Sequence, residues 1–162
     1  MCYNLRCNKE FYNKNKNEER KKLEIGEDEK VILVIGGSLG AKSINEAVVK
    51  NWEKIILDEK IKLFWGTGKD NFEEDTYRMK NFGNSVVKPY FNNVADIMSA
   101  SDLVICRAGA STISELIQLE KPSILIPYDF VGQKENADVL EYVNGAKIFT
   151  NETVDKAVEE AL

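Results

Sequence analysis

The sequence predicts an α/β protein built on a Rossmann-like, doubly wound parallel sheet of about six strands. Three observations carry that expectation. From Val31 onward, apolar runs of four to six residues rich in valine and isoleucine recur, helical-period segments separate them, and two runs lead into glycine-containing junctions, GGSLGA and CRAGASTISE. Short runs that are apolar throughout mark strands covered on both faces, and alternation with helices is how parallel strands are joined. Ligands in this class bind beyond the carboxyl ends of the strands, near the point where the strand order reverses.

The first 30 residues, ending in KNKNEERKKLEIGEDEK, are polar and charged, with one short helix expected from about Lys9 to Leu23 whose face uses Phe11, Tyr12 and Leu23. This reads as a lead-in segment to a single domain over 31–162. Strands are expected at VILVIG (31–36), KLFWGT (62–67), NSVVKP (84–89), DLVIC (102–106), SILIP (123–127) and AKIF (146–149). Helices fall near 42–57, 71–82, 93–100, 110–120 and 133–143. Pro122 and Pro127 punctuate the fifth strand, and Gly145 suits the glycine just past the end of the fifth helix. A sixth helix begins near Thr153 and has barely started at Leu162, which reads as a fragment.

Composition narrows the chemistry. A 162-residue chain that is 43% hydrophobic can bury a core of one domain. With 22 basic and 27 acidic residues, net charge −5, it is poorly suited to gripping a polyanion, so nucleic acid is not an expected partner. Cys2, Cys7 and Cys106 have no metal-ligand spacing and form an odd set, which points to a reducing, cytoplasmic setting rather than a disulfide framework. No stretch approaches the roughly 20 apolar residues of a membrane span. The chain contains no histidine, so no imidazole can act as base or metal ligand within it.

Three stretches are candidates for ligand contact. In GGSLGA, Gly36, Gly37 and Gly40 let the backbone approach a ligand, Ser38 adds a hydroxyl, and the following helix offers free N–H groups suited to phosphate. The spacing is neither that of a P-loop nor G-x-G-x-x-G, and a plain tight turn is the bland alternative. In CRAGASTISE, Gly109 and Ala110 are small, Ser111 or Thr112 suits a helix cap, and Ile113, Leu116 and Ile117 form the core stripe. Ser111, Glu115 and Gln118 fall on the other face, so Glu115 projects toward the crevice, where an acceptor-only carboxylate suits the vicinal hydroxyls of a ribose. A glutamate placed there by the helix dipole alone is the competing reading. In VGQKENADVLEYVNGA, Gln133, Glu135 and Asn136 suit sugar hydroxyls and amides, or an ordinary surface helix start. Lys69, in WGTGKDN, either approaches a phosphate or is solvated.

In order along the chain, GGSLGA, TGK, PYFNNVADIMSASDLVICRAGASTISE and KPSILIPYDFVGQKENADVLEYVNGA resemble the C-terminal half of the family 28 glycosyltransferases of peptidoglycan synthesis. The similarity runs from about Lys9 to Leu162. It implies one half of a GT-B glycosyltransferase, two Rossmann-like domains facing across a cleft, that inverts configuration and transfers N-acetylglucosamine from UDP-GlcNAc to lipid I, giving lipid II. By that resemblance Gly37 and Ser38 face the diphosphate, backbone groups of Phe91 meet the uracil edge, and Ala110 lies close to the sugar. Glu115 takes the ribose hydroxyls, Gln133 holds the N-acetylglucosamine, and Asn136 matches the family's asparagine after that glutamine. The resemblance also implies no metal or other cofactor, and peripheral association of the full-length enzyme with the cytoplasmic face of the membrane.

Departures from the family pattern are equally specific. Its G-N-P-[VI]-R segment is represented only by YNLRC, which makes Arg6 a displaced candidate for the β-phosphate. Trp65 stands where many members have histidine, and Gly132 where they have histidine or glutamine. The acceptor domain and the family's catalytic histidine have no counterpart, so no catalytic residue is assigned and this chain alone is not expected to transfer sugar. Two other readings stay open: a separate donor-binding subunit of a two-component transferase acting on another lipid-linked glycan, and a nucleotide-binding module without transfer activity.

Overall fold

A computed structural model describes residues 7–77, 79, 81–129 and 132–162. Six parallel strands form one sheet: β1 (Lys30–Ile35), β2 (Ile61–Gly66), β3 (Val86–Lys88), β4 (Leu103–Cys106), β5 (Ser123–Leu125) and β6 (Ala146–Ile148). Their spatial order is β3-β2-β1-β4-β5-β6, so the direction of winding reverses between β1 and β4. That reversal leaves a crevice at the carboxyl ends of these two central strands.

Alternate residues of the central strands feed two cores. Ile32 and Val34 of β1, with Leu63 and Trp65 of β2, pack under α2 (Lys42–Lys50), α3 (Trp52–Leu57) and the last helix, α8 (Val154–Ala161). Val31, Leu33, Phe64 and Val104 pack under α5 (Val94–Ala100), α6 (Ala110–Gln118) and α7 (Gln133–Tyr142). Burial of both faces explains why the central runs Val31–Ile35 and Leu103–Cys106 are apolar at every position.

The helical expectations needed three adjustments. The 42–57 helix divides at Asn51, a buried residue whose Nδ2 donates to the Ala47 carbonyl at 3.0 Å and whose N–H reaches the carbonyls of Ala47 and Val48. The break turns α3 so that Trp52 meets Trp65, ring centroids 6.0 Å apart. The 71–82 helix shortens to α4 (Phe72–Tyr77). The 9–23 helix becomes a single 3-10 turn at Lys9–Phe11 and α1 (Lys16–Lys22), separated by Asn13 at φ +58°. Asparagines explain that split, because Asn8 caps the first piece and Asn15 the second, the latter accepting from the N–H groups of Asn17 and Glu18.

Those N-terminal pieces pack on the domain. Phe11 is 2% exposed and joins the α5–α6 core. Arg20 of α1 donates to the carbonyls of Gly26 and Glu29 and to the Asp102 carboxylate, which in turn accepts from the Val31 N–H at 2.8 Å.

Candidate functional site

Strand β1 ends at Ile35 and the chain turns through Gly36–Gly40 toward α2. A Cβ at Gly36 would lie 2.3 Å from the Ala41 nitrogen, and at Gly40, with φ +84°, 2.1 Å from the Thr67 carbonyl oxygen. Packing therefore demands both glycines. Gly37 needs glycine only for its backbone, since φ is +92° and no atom of the described residues lies within 4 Å of the position its Cβ would take. Beneath the loop, Trp65 Nε1 donates to Asn45 Oδ1 at 3.1 Å and Asn45 Nδ2 donates to the Thr67 carbonyl at 2.8 Å. An indole only donates, so Trp65 fixes which end of the Asn45 amide faces Thr67. Asn71 Nδ2 adds a bond to the Leu39 carbonyl at 3.2 Å.

Strand β4 ends at Cys106, and Arg107, Ala108 and Gly109 lead into α6. The helix starts at Ala110, so Ser111 and Thr112 lie inside its first turn and neither caps it; Gly109 occupies the cap position without a side-chain bond. Helix α2 likewise has Ala41 at its cap position, without a side-chain bond. Both helices thus present uncapped N–H groups, the positive ends of their dipoles, on either side of the strand reversal. At Gly109 φ is −64° and the nearest atom to an added Cβ is Thr112 Oγ1 at 3.9 Å. Nothing among the described residues requires glycine there.

The β4–α6 turn is clasped by α7. Gln133 Oε1 accepts from the N–H groups of Ala108 and Tyr128, each at 3.2 Å, and Asn136 Nδ2 donates to the Ala108 carbonyl at 3.1 Å. The Gln133 Nε2 donor makes no hydrogen bond among the described residues. Arg107, only 7% exposed, donates to the Ile126 carbonyl (2.8 Å), Asn151 Oδ1 (2.9 Å) and Ser43 Oγ (2.9 Å), and stacks 4.0 Å from the Tyr128 ring centroid. It ties the first turn of α2 to the loops after β5 and β6. Neither Arg107 nor Asn45 is assigned a role by the sequence patterns. Asn45 carried a usable signal, as a polar residue beside Ile44 and Val48 on the apolar stripe of α2.

Between these junctions lies a cleft of about 240 Å³ lined by Gly37, Ser38, Tyr90, Phe91, Ser111 and Glu115 among others. Phe91 packs its ring edge-on against Phe64, 6.1 Å between centroids, while neither its N–H nor its carbonyl enters a backbone hydrogen bond among the described residues. Glu115 is half-buried, and burial, followed by the nearby charge of Glu10, raises its carboxyl pKa above the ordinary glutamate value. Gly36, Gly40, Gly109, Ala110, Gln133 and Asn136 are not among the residues lining this cleft; they form or brace the two turns beside it. Arg6 lies outside the described residues. Gln118 sits in a different cavity, and Ile117, expected in the core stripe, is 46% exposed because Ser114 takes the inward position and returns its hydroxyl to the Ala110 carbonyl at 2.9 Å.

The domain model for the glycosyltransferase family 28 C-terminal domain matches residues 31–162. The chain belongs to this family. A relative of this family 28 domain, the UDP-N-acetylglucosamine–N-acetylmuramyl-(pentapeptide) pyrophosphoryl-undecaprenol N-acetylglucosamine transferase of Fusobacterium nucleatum, is 49% identical over 144 residues, 87% of this chain and 40% of the relative. The transferase of the same name from Carboxydothermus hydrogenoformans is 37% identical over 132 residues, 80% of this chain and 36% of its own. The crystal structure of Acinetobacter baumannii MurG superposes with a TM-score of 0.74 at 25% identity, covering 93% of this chain and 45% of that one. This chain therefore spans about two fifths of the length of the curated relatives it matches. Its fold is that of one Rossmann-like half of a GT-B glycosyltransferase, as the sequence predicts.

Proposed function

We propose that this domain binds UDP-GlcNAc as the donor half of the transferase that adds N-acetylglucosamine to lipid I, forming lipid II. One observation carries the reading: Gly37, Ser38, Phe91, Ser111 and Glu115, drawn from three separate β–α junctions, line one cleft at the strand reversal. In this assignment the diphosphate lies over Gly37 and Ser38 at the N-terminus of α2, the uracil edge meets the backbone of Phe91, and the ribose hydroxyls donate to Glu115. The sugar lies toward Gly109 and Ala110, where the fold leaves room beside the backbone. Gln133, with its oxygen held by two backbone N–H groups, turns a donor toward the sugar.

The reaction is attack by the C4 hydroxyl of the lipid-linked muramyl sugar on the anomeric carbon, with inversion and departure of UDP. Charge growing on the diphosphate is met by preorganised N–H groups, which need no reorganisation at the moment of reaction. These N–H groups take the role that a cation plays elsewhere, so no metal or other cofactor is assigned. The base and the lipid I site are assigned to a second domain, with the full-length enzyme peripheral on the cytoplasmic face of the membrane. No described helix is long and apolar enough to cross a membrane.

Calorimetric titration with UDP-GlcNAc, UDP and UDP-glucose, each with and without EDTA, tests the reading. UDP and UDP-GlcNAc should bind in both conditions, and UDP-glucose more weakly than UDP-GlcNAc. Equal affinity for the two sugar nucleotides would remove the sugar assignment, and no affinity for UDP would remove the donor reading altogether.

A further inference from the structure

A second cavity, of about 220 Å³, opens at the opposite, amino-terminal edge of the sheet, between the segment preceding α1 and the C-terminal ends of α5 and α6. Its lining includes Asn13, Lys14, Lys16, Ser99, Gln118 and Lys121. Lys121 is delivered there by the turn that ends α6: Glu120 adopts φ +51°, and the N–H groups of Glu120 and Lys121 return to the carbonyls of Ile117 and Leu116. The result is a lysine only 9% exposed.

Its ammonium has no carboxylate partner within ion-pair distance among the described residues. Instead Nζ donates to the carbonyls of Ser99 (2.6 Å) and Ser101 (3.0 Å), leaving the third of its three donors for whatever occupies the cavity. The other two cavity lysines differ, because Lys14 pairs with Asp96 and with the buried Glu19 (3.6 Å), and Lys16 pairs with Asp102. Burial, then the charges of Lys16 and Arg20, pull the Lys121 pKa down to about 8, against the opposing effect of Asp102. A buried cation without its own counter-ion is costly, and an anion beside it removes that cost. Among the described residues, Glu120 is the one carboxylate lining the cavity itself.

We infer that this cavity is a binding site for a phosphate-type oxyanion, held by Lys121, Lys14 and Lys16 with amide donors from Asn13 and Gln118. It lies at the other end of the strands from the donor cleft and does not depend on the donor assignment. The oxyanion is either a soluble phosphate or the headgroup of an anionic phospholipid. The chemistry is shared, and the source is decided by experiment.

The test is titration of the 15N-labelled chain with inorganic phosphate, against chloride at equal ionic strength, followed by amide chemical shifts in wild type, Lys121→Met, Lys14→Gln and Glu115→Ala. Saturable shifts should centre on Asn13, Ser99 and Lys121. Affinity should fall at least about tenfold in each lysine variant through lost charged hydrogen bonds, and stay unchanged in Glu115→Ala. Lys14 is an outer ligand, so its variant keeps the test valid should Lys121→Met loosen the end of α5. Absence of saturation, shifts confined to Ser38 and Ala110, or equal affinity in Lys14→Gln overturns the site. Flotation with phosphatidylglycerol vesicles, competed by inorganic phosphate and lost in Lys14→Gln, assigns the site to a lipid headgroup. Saturable phosphate binding without flotation assigns it to soluble phosphate.

Discussion

The two junctions flanking the strand reversal do similar work by opposite means. The β1–α2 loop is shaped by missing side chains: Gly36 and Gly40 allow backbone to pass within a distance that any Cβ would close, and the neighbouring Thr67 carbonyl fills the space. The β4–α6 turn is shaped by side chains reaching in from elsewhere, since Gln133 and Asn136 bond both polar groups of Ala108 and Arg107 bolts three loops together. At Gly36 and Gly40 the first loop has no room for an added side chain, while the second has room at Gly109 but depends on its distant supports.

The largest effect that would separate them is Gly40→Ala. Strain at positive φ and collision with the Thr67 carbonyl should cost about 2–4 kcal/mol of stability by denaturant melts, whereas Gly37→Ala, with open space above it, should cost only about 1–2 kcal/mol. If the two losses were equal, packing against Thr67 would not be what holds this loop. Next come the supports of the second turn. Asn136→Leu leaves the Ala108 carbonyl without its partner and should destabilise by about 1–2 kcal/mol, with weaker UDP binding as a secondary result. Gly109→Ala is the smallest and sharpest case. Replacing a glycine at ordinary φ should leave stability unchanged or raise it by about 0.4–1 kcal/mol, yet UDP-GlcNAc affinity should fall while UDP affinity holds. Unchanged UDP-GlcNAc affinity would detach Gly109 from the sugar.

That contrast also explains what was legible in the sequence. All six strands and the two junctions could be read because each is a local pattern: an apolar run, then glycines, then helical periodicity. The breaks at Asn13 and Asn51 were not, because both depend on asparagine side chains bonding to nearby backbone, a competition that hydrophobic spacing does not record. Phe91, Ser38 and Glu115, which the family resemblance assigns to one nucleotide, line one cleft because the topology places the ends of their elements together. Gln133 and Asn136 look like ligand contacts by residue type, but each also bonds the backbone of Ala108, 25 and 28 positions earlier in the chain. Trp65, a departure from the family pattern, supports Asn45 through an indole N–H.

The pH dependence of the cleft follows from Glu115. Its pKa in the folded chain is raised by burial and then by Glu10, so ionising it is harder in the native state than in the unfolded one. The sign is therefore a penalty on folding that is absent at low pH and appears as pH rises from the ordinary glutamate value through the raised one. Glu115→Gln should remove that penalty and melt higher at neutral pH, while binding UDP less tightly. In wild type, UDP affinity should weaken on acidification at a pH above the ordinary glutamate pKa, because only the ionised carboxylate accepts both ribose hydroxyls.

The most direct measurement of the central claim is calorimetric titration of UDP into wild type, Glu115→Ala and Gln118→Ala at neutral pH. Glu115 and Gln118 lie on the same helix less than one turn apart, but only Glu115 lines the cleft at the strand reversal. Glu115→Ala should weaken UDP by about 1–3 kcal/mol, and Gln118→Ala should leave it unchanged. Equal affinity in wild type and Glu115→Ala would contradict the claim.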